Sequence, residues 1–176
     1  MATTAIVVPV PEAEAVVGPW RRRHTPSGSG EMPAHVLYPF VDESALDERH
    51  DGELRTVLGR VRPFDFSLTS LAEFPPSVGA AAVLYLAPEP SGPFVAMTEA
   101  LLAAFPGLVP YGGRHRDVVP HVTVASLADA PLATIRDEVR GLLPIACRAA
   151  RAWVLAERDG RWRRRSTVPF GRPRSS

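Results

Sequence analysis

The sequence predicts an α+β fold of two pseudo-symmetric lobes, each an antiparallel sheet with helices packed outside, set around a central cleft. Three observations lead there. Short apolar runs of period two alternate along the chain with helical stripes of period 3.6. A strand carrying a histidine occurs twice, at His35 and at His121, an offset close to half of the 176 residues. Each is followed by a helix and then by two strands, the order an internal duplication would leave.

The elements follow in order. Ala5 to Val10 reads as a strand, and a short helical or turn segment runs from Pro11 to Gly18. A flexible loop, about 22–32, holds His24-Thr25-Pro26-Ser27-Gly28-Ser29-Gly30. Pro33 leads into the strand Ala34 to Tyr38, and Leu54, Val57, Leu58 and Val61 then mark one face of a helix. Phe64, Phe66 and Leu68 alternate with Asp65, Ser67 and Thr69 as in a half-buried strand, and Ala81 to Leu86 gives another. Pro93 opens a helix with the stripe Phe94, Met97, Leu101 and Phe105, which Pro106-Gly107 ends. A Gly-rich loop, Tyr111-Gly112-Gly113-Arg114-His115, runs to Pro120 and the strand His121 to Val124. Asp129 caps the last helix, with Leu132, Ile135, Val139 and Leu142 on one face. Strands Ala150 to Glu157 and Trp162 to Val168 flank Asp159-Gly160, a hairpin turn. Together these make one domain over residues 1–176, with duplicated units at about 34–87 and 120–169 and a disordered tail, 171–176.

An apolar content of 45% supports one sizeable core, and a formal charge of +1 lacks the broad basic footprint of a protein that grips long duplex nucleic acid. A small phosphorylated ligand fits that charge. All 20 basic residues are Arg, so a Lys nucleophile, a Schiff base and a P-loop lysine are excluded. The single cysteine, Cys147, lies in an apolar run and reads as a buried structural thiol. Pro9 and Glu12 interrupt the first apolar stretch too early for a membrane span, so a cytoplasmic location without membrane contact is expected.

Residues two apart on a strand share a face, so His121 and Thr123 project together while Val122 and Val124 point to the core. A neutral imidazole can take a proton and an imidazolium can give one, and a hydroxyl beside it can hydrogen-bond a phosphoryl oxygen. Two such strands facing each other supply both halves of a proton-transfer pair. Other histidines read as bystanders: His115 matches no zinc spacing, and His24 and His50 are expected in solvent, one in the flexible loop and one near a helix start. The runs Arg21-Arg22-Arg23 and Arg161-Trp162-Arg163-Arg164-Arg165 suggest RNA contacts, although alternation in the second fits the solvated face of a strand.

At His35 and at His121-Val122-Thr123-Val124 the chain resembles the 2H phosphoesterases, the 2′-5′ RNA ligase or LigT-like family. Met32 to Phe40 and Tyr111-Gly112-Gly113 support the resemblance, which covers nearly the whole chain. It implies metal-independent hydrolysis of a 2′,3′-cyclic phosphate or a related 2′-linked phosphodiester, on a nucleotide or RNA end, by a monomer without a cofactor. By position, it implies His35 and His121 as the acid–base pair and Thr123 as a phosphate ligand. His121 would be the base for water and His35 the acid. Leu37 stands where the family's first motif carries Thr or Ser, and Ala125-Ser126 where an Arg often follows the second. Substrate contacts are therefore expected from Leu37, Tyr38, Arg62, Tyr111, Arg114 and Ser126. An impaired or non-catalytic nucleotide- or RNA-binding protein is the alternative that Leu37 leaves open.

Overall fold

The computed structural model describes residues 3–26, 32–42, 48–107 and 118–171. Eight strands form one antiparallel sheet: β1 (Thr3–Pro9), β2 (His35–Asp42), β3 (Phe64–Phe74), β4 (Val83–Glu89), β5 (Val122–Ala125), β6 (Ile145–Ala149), β7 (Arg151–Arg158) and β8 (Arg161–Pro169). Four α-helices accompany them among the described residues: α1 (Glu14–His24), α2 (Glu48–Gly59), α3 (Gly92–Ala104) and α4 (Leu132–Arg140). The strand order is β6-β3-β4-β5-β2-β1-β7-β8. The two lobes are thus halves of a continuous sheet, and they meet where β2 lies antiparallel to β5 through one pair, Val36 with Val122.

Outward from that seam, β1 and then β7 lie on one side and β4 and then β3 on the other. The recurring unit is therefore strand, helix, histidine strand, helix: β1-α1-β2-α2 and β4-α3-β5-α4. It begins one strand and one helix earlier than the expected units at about 34 and 120, because the partner strand of each histidine strand precedes it in the chain.

One face of the sheet carries the main core. Val8, Val36, Leu68, Leu84, Leu86, Val122, Val124 and Val154 pack there against Val17 of α1, Leu54 and Leu58 of α2, Phe94, Met97 and Leu101 of α3, and Ile135 and Val139 of α4. The periodic stripes put these residues on the inner faces of their helices, as the sequence requires. Phe94 is fully buried and meets Phe64 and Phe66 edge-on, each at 5.0 Å between ring centres. The opposite face of the sheet carries a smaller cluster, Ala5, Val7, Met32 and Leu155 with Trp153 and Trp162 against it.

Several elements depart from the sequence reading. A single 3-10 turn, Pro11–Ala13, hands over to α1, which runs through Pro19 to His24 instead of ending at Gly18. Pro19 is tolerated because it lies on the exposed side of the helix, where the carbonyl that loses its N–H partner meets water. Gly18 is buried for a different reason: a Cβ there would collide with the Glu14 carboxylate. His24 is consequently the last residue of α1, with its ring stacked on Trp20, and not part of the loop; residues 27–31 of that loop lie outside the described residues. Pro131, not Asp129, precedes α4, and Leu142 falls beyond its end and is exposed. Cys147 is buried as expected, on a strand the periodicity did not reveal, β6, which pairs with β3. The hairpin at Asp159-Gly160 forms with both residues at positive φ, 52° and 73°, the requirement of a two-residue turn. The C-terminal residues 172–176 lie outside the described residues, and no described helix is long and apolar enough to cross a membrane.

Phe94 predicts a measurable cost. Phe94→Ala should lower unfolding stability by about 3–5 kcal/mol, read as a reduced urea midpoint with little change in slope. A loss under about 1 kcal/mol would mean that the three rings do not pack as described.

Candidate active site

The seam fixes what faces what. With Val36 opposite Val122, continuing the antiparallel register by one residue sets His35 opposite Thr123 and the backbone of Leu37 opposite His121. Val36 and Val122 point into the helix-side core, so His35, His121 and Thr123 share the other face. Register with the neighbours extends two rungs across that face. One joins Ala72, Tyr85, Thr123, His35 and Pro9; the other runs from His121 past the backbone of Leu37 to Val7, Trp153 and Thr167.

Both imidazoles are held in the same way. Each Nδ1 lies within hydrogen-bond distance of the backbone carbonyl two residues earlier: His35 on Pro33 at 2.6 Å and His121 on Val119 at 2.7 Å. A carbonyl can only accept, so Nδ1 carries the proton in both rings and Nε2 is left as the free lone pair. The prolines in Met32-Pro33-Ala34-His35 and Val119-Pro120-His121 stiffen both approaches.

The two environments then diverge. His35 is 8% exposed, and Arg21 of α1, 3% exposed, brings its guanidinium to 3.5 Å from the His35 Nδ1. With Nδ1 already donating to Pro33, that approach is one of two donors, and it opposes a positive charge on the ring. Burial first, then Arg21, then His121 push His35 down to about 3, against the pull of the Pro33 carbonyl. Burial also lowers His121, partly offset by the Val119 carbonyl. His121 has aromatic company in place of a cation: Phe74 and Tyr85 stack at 4.2 Å and meet its ring edge-on at 5.0 and 5.3 Å.

Arg21 is the residue at the seam that sequence reasoning missed. Its Nη1 donates to the Thr123 carbonyl at 2.6 Å and its Nη2 reaches the Pro33 carbonyl at 3.5 Å, so one side chain ties β5 to the entry of β2. Burial lowers its pKa to about 10, with Glu14 opposing, and it stays charged at neutral pH. Glu14 in turn accepts from the Ala34 N–H at 2.8 Å and pairs with Arg22 at 3.3 Å. The signal was present, since Val17, Arg21 and Thr25 follow each other at four-residue spacing on the buried side of a helix that extends past Gly18.

The expected substrate contacts fare unevenly. Arg62 is exposed in the connection between α2 and β3, at the opposite end of β3 from Phe74, and so is not brought to the histidines. Ser126 sits just past β5, and its N–H donates to the His24 carbonyl at 2.8 Å, anchoring the end of α1. The side chains of Leu37 and Tyr38, like all of Tyr111 and Arg114, lie outside the described residues. His50 is at the start of α2, with its ring 6.1 Å from Phe105. A shallow cavity of about 520 Å³ between β3 and β6, lined by Glu12, Asp65, Glu89 and Arg148 among others, contains no histidine.

The fold recurs in solved structures. Escherichia coli LigT complexed with 3′-AMP superposes with a TM-score of 0.58 at 16% identity, covering 97% of this chain and 99% of the other. The protein TT0787 of Thermus thermophilus gives 0.59 at 15% identity, covering 98% and 100%. A protein described as a phosphoesterase gives 0.57 at 17%, covering 96% and 98%. No curated protein matches the chain significantly in sequence. The family model of the 2′-5′ RNA ligase superfamily, however, matches residues 9–161, which takes in both histidine strands and the seam between them. On that match and on the shared fold, the chain belongs to the 2′-5′ RNA ligase superfamily, among the 2H phosphoesterases.

Proposed function

We propose that this protein is a metal-independent phosphodiesterase that opens the 2′,3′-cyclic phosphate of a nucleotide or RNA end, with His35 and His121 as base and acid. The observation that carries the reading is the pair of imidazoles on one face of the seam, each locked with Nδ1–H inward and Nε2 free. A base for water and an acid for the leaving oxygen are what hydrolysis of a cyclic diester needs. Thr123, opposite His35 in the register that Val36 and Val122 set, would donate its hydroxyl to a non-bridging oxygen as charge develops there. The LigT structure of similar fold holds 3′-AMP, a nucleoside phosphate, which agrees with a ligand of that class.

Electrostatics favours a division of labour opposite to the one the family resemblance implies. Burial first and then Arg21 disfavour a charge on His35, while His121 is lowered by burial without a neighbouring cation, so we assign the proton of a singly protonated site to His121. Neutral His35 then takes the proton from water through Nε2 as the water oxygen attacks phosphorus. His121 gives its proton from Nε2 to the departing ribose oxygen as the P–O bond breaks. The product is a phosphomonoester and the site's proton has passed from His121 to His35.

The division of labour is testable through the leaving group. On a cyclic nucleotide, with EDTA present, both His35→Ala and His121→Ala should lose about 10²–10⁴-fold in kcat. On a diester that releases 4-nitrophenolate, which departs without an acid, His121→Ala should recover most of its activity and His35→Ala should not. Recovery by His35→Ala instead would restore the family's assignment, and full activity of both variants on the cyclic nucleotide would end the proposal. Leu37→Thr should raise turnover, by as much as about 100-fold if a second hydroxyl donor is what the first motif lacks. No turnover by either protein favours the binding-only alternative.

The neutral His35 also sets a pH dependence of stability. Its folded pKa lies below the unfolded value, so its contribution is complete above about pH 6.5 and is lost as the pH falls from there toward its folded value of about 3. Wild type should lose about 1.4 kcal/mol per pH unit on this account between roughly pH 6 and 4, and His35→Asn should show a flatter profile. Parallel profiles in urea titrations would show that His35 titrates near its ordinary value.

A further inference from the structure

Arg21 is buried in a place where packing does not ask for a charge. Among the described residues it is the only Arg, Asp or Glu that is buried, at 3% exposed. The corresponding helix of the second lobe, α3, meets the sheet with Phe94, Met97, Thr98 and Leu101 and buries no charged side chain. An apolar side chain of similar volume often packs as well as a buried ion or better, so stability alone does not account for the guanidinium.

What the guanidinium touches is the reacting end of the seam. Its Nη1 donates to the Thr123 carbonyl at 2.6 Å, and its Nη2 lies 3.5 Å from both the Pro33 carbonyl and the His35 Nδ1. The Pro33 carbonyl is also the clamp of the His35 ring, 2.6 Å from Nδ1, so the cation and the imidazole share one acceptor. The base of Arg21 is itself fixed. The Thr25 hydroxyl donates to the Arg21 carbonyl at 2.8 Å, and the His24 carbonyl accepts the N–H groups of Ser126 and Leu127, just past β5, at 2.8 and 3.1 Å.

We propose that Arg21 is a positioning residue for the reaction: it holds the Pro33 and Thr123 backbone at a set separation, with its charge against the inner nitrogen of His35, and so fixes how the His35 imidazole and the Thr123 hydroxyl stand to one phosphoryl group. The inference rests on the phosphodiester reading of the seam and adds to it a residue that touches no substrate. A planar guanidinium carries its donors in a rigid fork that suits two carbonyls at once, whereas an ammonium is a point charge and does not hold both in the same way. Reacting groups displaced by about 1 Å lose on the order of 100-fold in rate, which sets the scale of the effect.

Charge acts through the same contact. Around His35, α1 presents Arg21 and, on the neighbouring Ala34 N–H, Glu14, itself paired with Arg22; His121 stands across the seam with Tyr85 of β4 at its ring. The residues opposite His35 on the adjacent strands, Pro9 of β1 and Thr123 of β5, do not titrate. Burial comes first in disfavouring a proton on His35 and Arg21 second, so removal of the guanidinium favours the protonated ring.

The test compares wild type, Arg21→Met and Arg21→Lys, each checked for folding by urea titration. It reads kcat and KM on a 2′,3′-cyclic nucleotide with EDTA across pH, and the ring-nitrogen titration of His35 by NMR. Arg21→Met should lower kcat about 10- to 100-fold with KM within about threefold, since the guanidinium does not reach the ligand. Its His35 should titrate at higher pH than in wild type, and the acid limb of its rate profile should move up with it. Arg21→Lys should leave His35 titrating as in wild type while kcat stays at least about 5-fold down, because the charge remains and the fork is lost. A folded Arg21→Met whose His35 titration and acid limb match wild type would reduce Arg21 to a structural part and overturn the inference, and so would wild-type kcat in either variant. Should Arg21→Met not fold, kcat of Arg21→Lys decides. No turnover by wild type would end both this inference and the phosphodiester reading, whereas histidine-dependent turnover that is indifferent to position 21 would end this inference alone.

Discussion

The structure depends on a narrow seam. Two four-stranded half-sheets meet through β2 and β5, where one residue pair, Val36 with Val122, makes the ladder. So short a pairing would slip, and a one-residue slip would turn every seam side chain to the other face. Arg21 prevents this by holding the Thr123 carbonyl and reaching the Pro33 carbonyl from the helix side. A buried guanidinium is expensive unless its donors are used, and here its donors serve the two backbone segments that carry the histidines. Glu14, fixed against the Ala34 N–H and fitted over Gly18, balances the charge.

The same cation breaks the symmetry of the site. Duplication delivers two histidines with the same carbonyl clamp, which alone would give two equivalent groups. Acid–base catalysis needs inequivalent ones. Arg21 beside His35 and the Phe74–Tyr85 corner beside His121 supply the difference without any change in the clamps. In the proposed mechanism, the residue that registers the sheet thus also adds to burial in holding His35 neutral.

Much of this was legible in the sequence. Stripes such as Phe94, Met97 and Leu101, and alternations such as Phe66 and Leu68, identify their elements because burial on one face imposes the period directly. His35, His121 and Thr123 stand out because a two-residue spacing on a strand can be read without tertiary knowledge. What was hidden depends on long-range pairing. β6 is short and bounded by Pro144, with nothing in its own residues to announce β3 as a partner. Arg21 read only as one of three arginines in a run that suggested RNA contacts, since its acceptors are carbonyls 12 and 102 residues away. Arg62 lies at the end of β3 away from Phe74 for a reason of the same kind, since a position just before a strand does not say which end of that strand meets the seam.

The central claim is that the two imidazoles share one neutral tautomer and are unequal in proton affinity. Long-range proton–nitrogen NMR of the ring nitrogens, followed from pH 8 down to 4, tests it most directly. The account predicts Nδ1–H with a bare Nε2 in both rings, with His121 taking up a proton first and His35 staying neutral to the end of the range. Either ring found as Nε2–H, or His35 titrating near 6.5 ahead of His121, would contradict it.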